Sequence, residues 1–162
     1  MRRTIFLPPG GICCRSEASV ISTILGSCVA VCVWDREQAN GGMNHFLLPR
    51  SNHSPISPRY GDVAVDRLLA QMEQLGCQME NLQAKVFGGA AVLPYGAHAD
   101  TVGAQNVAVA LEILQSLGIP VIARRTGGQC GLFIRFHTAD GRVMVRELPA
   151  NLPAKTQSEL VS

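Results

Sequence analysis

The chain has 162 residues, 47% of them apolar and 16% charged, which suffices for one domain with a buried core and argues against a second. A net charge of +2, an aromatic content of 5% and no Lys/Arg run beyond Arg2-Arg3 and Arg124-Arg125 leave neither a basic stripe nor a stacking platform, so nucleic acid is not the expected partner. No apolar run approaches a membrane span, and Ile5-Phe6-Leu7 is too short for a signal-peptide core, so the expectation is a cytoplasmic protein without membrane insertion.

In chain order, the first strong signal is the run from Thr23 to Trp34, in which a turn at Gly26 releases Cys28 onto an apolar strand. The next apolar run carries Gly41-Gly42-Met43-Asn44-His45-Phe46. Folded as an antiparallel hairpin with Cys28 opposite His45, these runs leave Asp35 to Gln38 as a four-residue loop. A competing turn at Asn40-Gly41 sets Cys28 opposite His53 and forces Pro49 into a strand, where it has no N–H to donate. The first register is favoured, with Gly41-Gly42 as a bulge. Asp62 then caps a helix with Val65, Leu68, Leu69, Met72 and Leu75 on one face, ending at Gly76. A strand from Leu82 to Phe87 breaks at Gly88-Gly89. A second helix runs from about Ala104 to Leu117 and stops at Gly118. A short strand from Val121 to Ala123, a Thr126-Gly127-Gly128 loop and a hairpin of Leu132 to His137 with Arg142 to Leu148, turned at Asp140-Gly141, complete an α/β pattern. One domain over residues 1–148 is expected, with a poorly ordered tail over 149–162.

The candidate chemistry is that of a thiol nucleophile. A thiolate is the reactive species, and an imidazole must take its proton and later protonate the leaving group, which makes Cys28 and His45 the candidate pair. Exposed amides of Ser27 and Cys28 in the glycine turn would form an oxyanion hole. The remaining cysteines, 13, 14, 32, 77 and 130, show no C-x-x-C spacing and read as free thiols, most of them small buried hydrophobes. No metal is expected, because histidines 45, 53, 98 and 137 lack ligand spacing. His98-Ala99-Asp100 is the nearest thing to a second site. The glycine pairs at 88–89 and 127–128 match no phosphate loop and read as turns beside a cleft.

Leu25-Gly26-Ser27-Cys28-Val29-Ala30-Val31, Gly41-Gly42-Met43-Asn44-His45-Phe46, Tyr60-Gly61-Asp62, Lys85-Val86-Phe87-Gly88-Gly89-Ala90, Gly103-Ala104-Gln105-Asn106 and Thr126-Gly127-Gly128 together resemble the chemoreceptor glutamine deamidases of the CheD family. The resemblance runs from about residue 5 to 148. It implies an α/β (α+β) layered sandwich of mixed β-sheets with helices outside, similar to bacterial toxin deamidases. It also implies hydrolysis of receptor glutamine side chains to glutamate through a cysteine thioester, and of methyl-glutamate esters in some members, with methyl-accepting chemoreceptors as protein substrates and no cofactor. Cys28 matches the family nucleophile and His45 its general base and acid. The third position is a hydroxyl just upstream, for which Ser22, favoured by offset, and Thr23 are both candidates; either would hold the second imidazole nitrogen beside a thiolate–imidazolium pair. A CheC-type chemotaxis phosphatase is the second implied partner, and a binding module with weak or lost catalysis the alternative reading. An unrelated cysteine hydrolase of small amides or esters is a third. Arg125 and Leu132 depart from the family's acid and arginine around Thr126-Gly127-Gly128, which implies a changed docking surface with intact chemistry.

Overall fold

A computed structural model describes residues 2–52, 55–92 and 101–149. Nine strands, two α-helices and a short 3-10 turn (Met79–Asn81) form within them. β1 (Arg3–Phe6), β3 (Ser19–Leu25), β8 (Leu132–His137) and β9 (Val143–Glu147) make a four-stranded mixed sheet in the order β1-β3-β8-β9. β2 (Ile12–Arg15), β4 (Val29–Asp35), β5 (Gly41–Asn44), β6 (Leu82–Gly88) and β7 (Val121–Thr126) make a five-stranded mixed sheet in the order β2-β5-β4-β6-β7. The parallel pairs are β1 with β3 and β6 with β7.

Period-two alternation on β4 builds two cores at once. Val29, Val31 and Val33 face α1 (Gly61–Gln74) and α2 (Val102–Ser116), while Ala30 and Cys32 face the four-stranded sheet with Ile21, Leu25, Ile134 and Phe136. Both helices therefore cover the same face of the five-stranded sheet, giving layers of helix, sheet and sheet. On α1, Val65, Leu68, Leu69 and Met72 form the buried stripe that helical spacing predicts. Full burial of Leu68 or Met72 contributes roughly 1.5–3 kcal/mol each. Asp62 does not cap α1: the N-cap is Tyr60, and the Asp62 carboxylate accepts from Ser51 and Val63 amides instead. α2 begins two residues ahead of the sequence-based boundary because the Thr101 hydroxyl accepts from the Ala104 amide.

The hairpin register is neither of the two expected. Cys32 faces Met43, Val33 faces Gly42 and Val29 faces Phe46, so Cys28 lies across from Leu47 and His45 across from Ala30. Asp35 sets this register, because its Oδ1 accepts from the amides of Glu37 and Gln38 and Ala39 takes φ 54°, which places the loop one residue later. Gly41 and Gly42 form no bulge; both lie in regular β5, between β2 and β4. A Cβ on Gly42 would stand 2.6 Å from Cys14 Sγ, so close packing of β5 under α1 requires glycine there.

Leu132 and Arg125 also differ from expectation. Leu132 is 6% exposed, pairs with Leu25 and packs in the inter-sheet core. Arg125 forms an exposed ion pair with Glu147 on β9. One residue is core and the other a surface link between the two sheets, so they do not form one docking patch.

Candidate active site

Alternation on β3 turns Ile21, Thr23 and Leu25 toward the five-stranded sheet, where Ile21 and Leu25 pack in the inter-sheet core. Ser22 is on the opposite side of the strand. The Thr23 hydroxyl is buried, donates to the Leu7 carbonyl at 2.7 Å and meets His45 Nδ1 at 2.8 Å. A register one residue off inverts the two side chains, so Thr23 holds the place toward which offset from the cysteine favoured Ser22.

These two contacts decide the tautomer. The single hydroxyl proton goes to Leu7, so the hydroxyl oxygen accepts, and Nδ1 must carry the hydrogen it donates. Nε2 is then the lone-pair nitrogen. It is buried and has no hydrogen-bond partner among the described residues. His45 follows the end of β5 and is pinned by its own backbone, its N–H donating to Gly11 and its carbonyl accepting from Gly10.

The end of β5 is bent by Asn44. Where a regular ladder would have the Asn44 carbonyl accept from Val31 N–H, the Asn44 side-chain Oδ1 accepts instead at 2.8 Å. Its main chain pairs with Ile12 of β2. The ladder to β4 resumes at Val29 and Phe46, which exchange hydrogen bonds of 3.0 and 2.9 Å.

Cys28 precedes Val29 and His45 precedes Phe46, on antiparallel strands. The two are therefore diagonal neighbours on one face, at a spacing of about 7–8 Å between backbones that side chains can span. Thr23 and His45 meet between the sheets, and the register sets Cys28 on the same face as His45. Cys28 also opens onto a cavity of about 500 Å³, bordered by Leu47, Leu48, Arg59, Val92 and Val102. The strand that follows is tied in place by Gly88 and Gly89: Gly89 N–H donates to the Cys28 carbonyl at 2.9 Å. At Gly88, φ is +106° and a Cβ would lie 2.2 Å from that carbonyl oxygen, so only glycine is accommodated.

Burial sets the charge state. Desolvation lowers His45, 2% exposed, to about 4, and raises the Cys28 thiol, whose own amide partly offsets the rise. Both shifts favour the uncharged form of the separate groups.

The other candidates separate from this site. Cys32 is fully buried in the inter-sheet core and Cys14 sits under α1, where burial pushes it up to about 12. All six cysteines are free thiols. His137 ends β8, with Nδ1 3.2 Å from the Arg2 guanidinium. His53 and His98-Ala99-Asp100 lie outside the described residues. Among the described residues no group of three or more His, Cys, Asp or Glu side chains is gathered to hold a metal, and no helix is long and apolar enough to cross a membrane. Sequence reasoning missed Asn44 and Asn106. Asn106 falls within the buried stripe of α2, with Gly103 three residues before and Ala110 four after; a carboxamide on an apolar helix face is the signal that marks it.

The family described as CheD chemotactic sensory transduction matches residues 47–147. The chain belongs to the CheD family. Similar proteins include a probable chemoreceptor glutamine deamidase CheD of Rhodospirillum rubrum, 59% identical over 143 residues that cover 88% of this chain and 81% of the relative. One of the same name from Trichlorobacter lovleyi is 42% identical, covering 88% of this chain and 89% of the relative. A CheD 1 of Anaeromyxobacter dehalogenans is 43% identical, covering 91% and 86%. The family match begins beyond Cys28 and His45.

Proposed function

We propose that this CheD protein deamidates glutamine side chains of methyl-accepting chemoreceptors, with Cys28 as nucleophile, His45 as base and acid, and Thr23 as the group that orients the imidazole. The observation that carries the reading is the Thr23 contact to His45 Nδ1, which leaves Nε2 free on the face that Cys28 shares. Nε2 takes the thiol proton as Sγ attacks the carboxamide carbon, and the amides of Ser27 and Cys28 receive the oxyanion. The imidazolium returns that proton to the leaving nitrogen, ammonia departs and a thioester remains. Water then gives its proton to Nε2 and attacks the thioester; the thiol is regenerated and glutamate released. A methyl-glutamate ester follows the same path with methanol as leaving group.

A protein substrate is favoured over a small amide because the cavity rim exposes large apolar side chains, Leu48, Val92 and Val102, to solvent. Receptor cytoplasmic fragments incubated with the protein should gain glutamate at defined glutamine positions by peptide mass spectrometry, and Cys28→Ala should abolish this with native far-ultraviolet circular dichroism. Full activity in Cys28→Ala, or equally fast ammonia release from free glutamine, would overturn the reading.

A further inference from the structure

Consecutive peptide groups on either side of the thiol are each held by the carbonyl. Gly26 C=O accepts from Ala90 N–H at 2.9 Å, Ser27 C=O from Asn106 Nδ2 at 3.0 Å, and Cys28 C=O from Gly89 N–H at 2.9 Å. In a trans peptide the carbonyl and the N–H that follows point in opposite directions, so a bond on one aims the other. The bond on Gly26 C=O thus aims Ser27 N–H, and the bond on Ser27 C=O aims Cys28 N–H. Backbone amides hold the outer two carbonyls. A single side chain holds the middle one.

That side chain is fully buried on α2. The second hydrogen of Asn106 Nδ2 goes to the Leu47 carbonyl at 2.9 Å, across from Cys28 and on the same segment as His45. Both neighbours are carbonyl oxygens, so nitrogen must face them and the carboxamide has one possible orientation. Its Oδ1 is buried without a partner among the described residues.

We propose that Asn106 is a positioning residue for deamidation: it aims the Cys28 amide at the oxyanion and ties the nucleophile turn to the segment that carries His45. This rests on the reading of Cys28 as nucleophile. A purely structural role, satisfying two buried carbonyls, is the alternative to be separated.

The two roles separate because iodoacetamide alkylates Cys28 at a saturated carbon, where no oxyanion forms, whereas deamidation develops one. In the full chain, Asn106→Ala should lower kcat for receptor deamidation by roughly 10- to 100-fold, short of the 10²–10³ for complete loss of an oxyanion donor. KM and the alkylation rate should stay within about threefold. Asn106→Asp keeps the shape and serves if the alanine variant fails to fold. Its protonated carboxyl donates one hydrogen and its carboxylate none, so deamidation should fall as pH rises while alkylation increases. Deamidation and alkylation that decline in parallel, deamidation within threefold of the parent in both variants, or an unaltered pH profile in Asn106→Asp would each overturn the proposal. A parent protein that leaves receptor fragments unchanged, or an active Cys28→Ala, would instead overturn the reading beneath it.

Discussion

The Thr23 hydroxyl can donate once, and Leu7 takes that donation, so in the proposed mechanism its value lies in what it accepts. Thr23→Val removes the acceptor at nearly constant volume and lets the imidazole rotate or change tautomer. A general base is worth about 10²–10⁴ in rate, so a misaligned one should cost roughly 10- to 100-fold in kcat. Thr23→Ser should retain most activity and Ser22→Ala should be near neutral; a larger loss in Ser22→Ala than in Thr23→Val, measured on receptor fragments, would reverse the assignment. The charge state of His45 makes a second prediction. Unfolded, an imidazole takes its proton near 6.5, whereas His45 in the fold resists protonation to about 4. Between these values the unfolded chain binds the proton and the native one does not, so stability rises with pH across that window and is lost as pH falls through it. The gap corresponds to on the order of 3 kcal/mol. Urea midpoints from pH 4 to 7 should therefore slope more steeply for the parent than for His45→Gln, and equal slopes would show that the imidazole protonates freely in the fold. At the alkaline end the raised Cys28 thiol acts with opposite sign, and stability falls once pH passes the unfolded value of 9.0.

Elements with their own periodicity were legible. The stripe of α1, the alternation of β6 and the β8–β9 hairpin at Asp140-Gly141 follow from spacing and turn chemistry. β1 and β2 were not, because four residues at a sheet edge carry too little pattern and their partners lie elsewhere in the chain. The β4–β5 register failed for a different reason: a side chain overrode the backbone turn signal. Asp35 captures two amides of its own loop, and Ala39 takes a left-handed conformation that no local rule assigns to alanine. Asn44 overrides the ladder in the same way. Asn44→Ala should leave the buried Val31 N–H without its acceptor and cost about 1–3 kcal/mol in urea unfolding, with loss of deamidation as the end of β5 relaxes toward β4. A variant as stable and as active as the parent would show that the ladder closes without the carboxamide.

At the scale of the molecule the site spans layers: Thr23 belongs to one sheet, Cys28 and His45 flank strands of the other, and Asn106 reaches in from a helix behind it. Cys28 and His45 stand out as candidates by residue type and motif. Which hydroxyl completes the group does not, because that depends on how two sheets stack, and no short stretch of sequence records it. The same limit applied to Leu132 and Arg125, close in sequence yet in different environments. Leu132→Arg should place a charge in the inter-sheet core and cost several kcal/mol, while Arg125→Asp should cost about 1 kcal/mol or less, since its ion pair with Glu147 is exposed. Thermal unfolding of the two single variants separates these outcomes, and equal melting temperatures would put Leu132 at the surface. The Leu7 carbonyl has a further consequence. It follows β1, a strand paired on one side only among the described residues, and besides its own polar interaction with the His45 ring it removes a rotamer from the Thr23 hydroxyl. Freed from Leu7, the Thr23 hydrogen would regain three staggered positions, and one of them points at Nδ1. In that rotamer the imidazole keeps its hydrogen on Nε2 and has no lone pair to offer a thiol, so in the proposed mechanism the residue that follows β1 is what keeps the base a base.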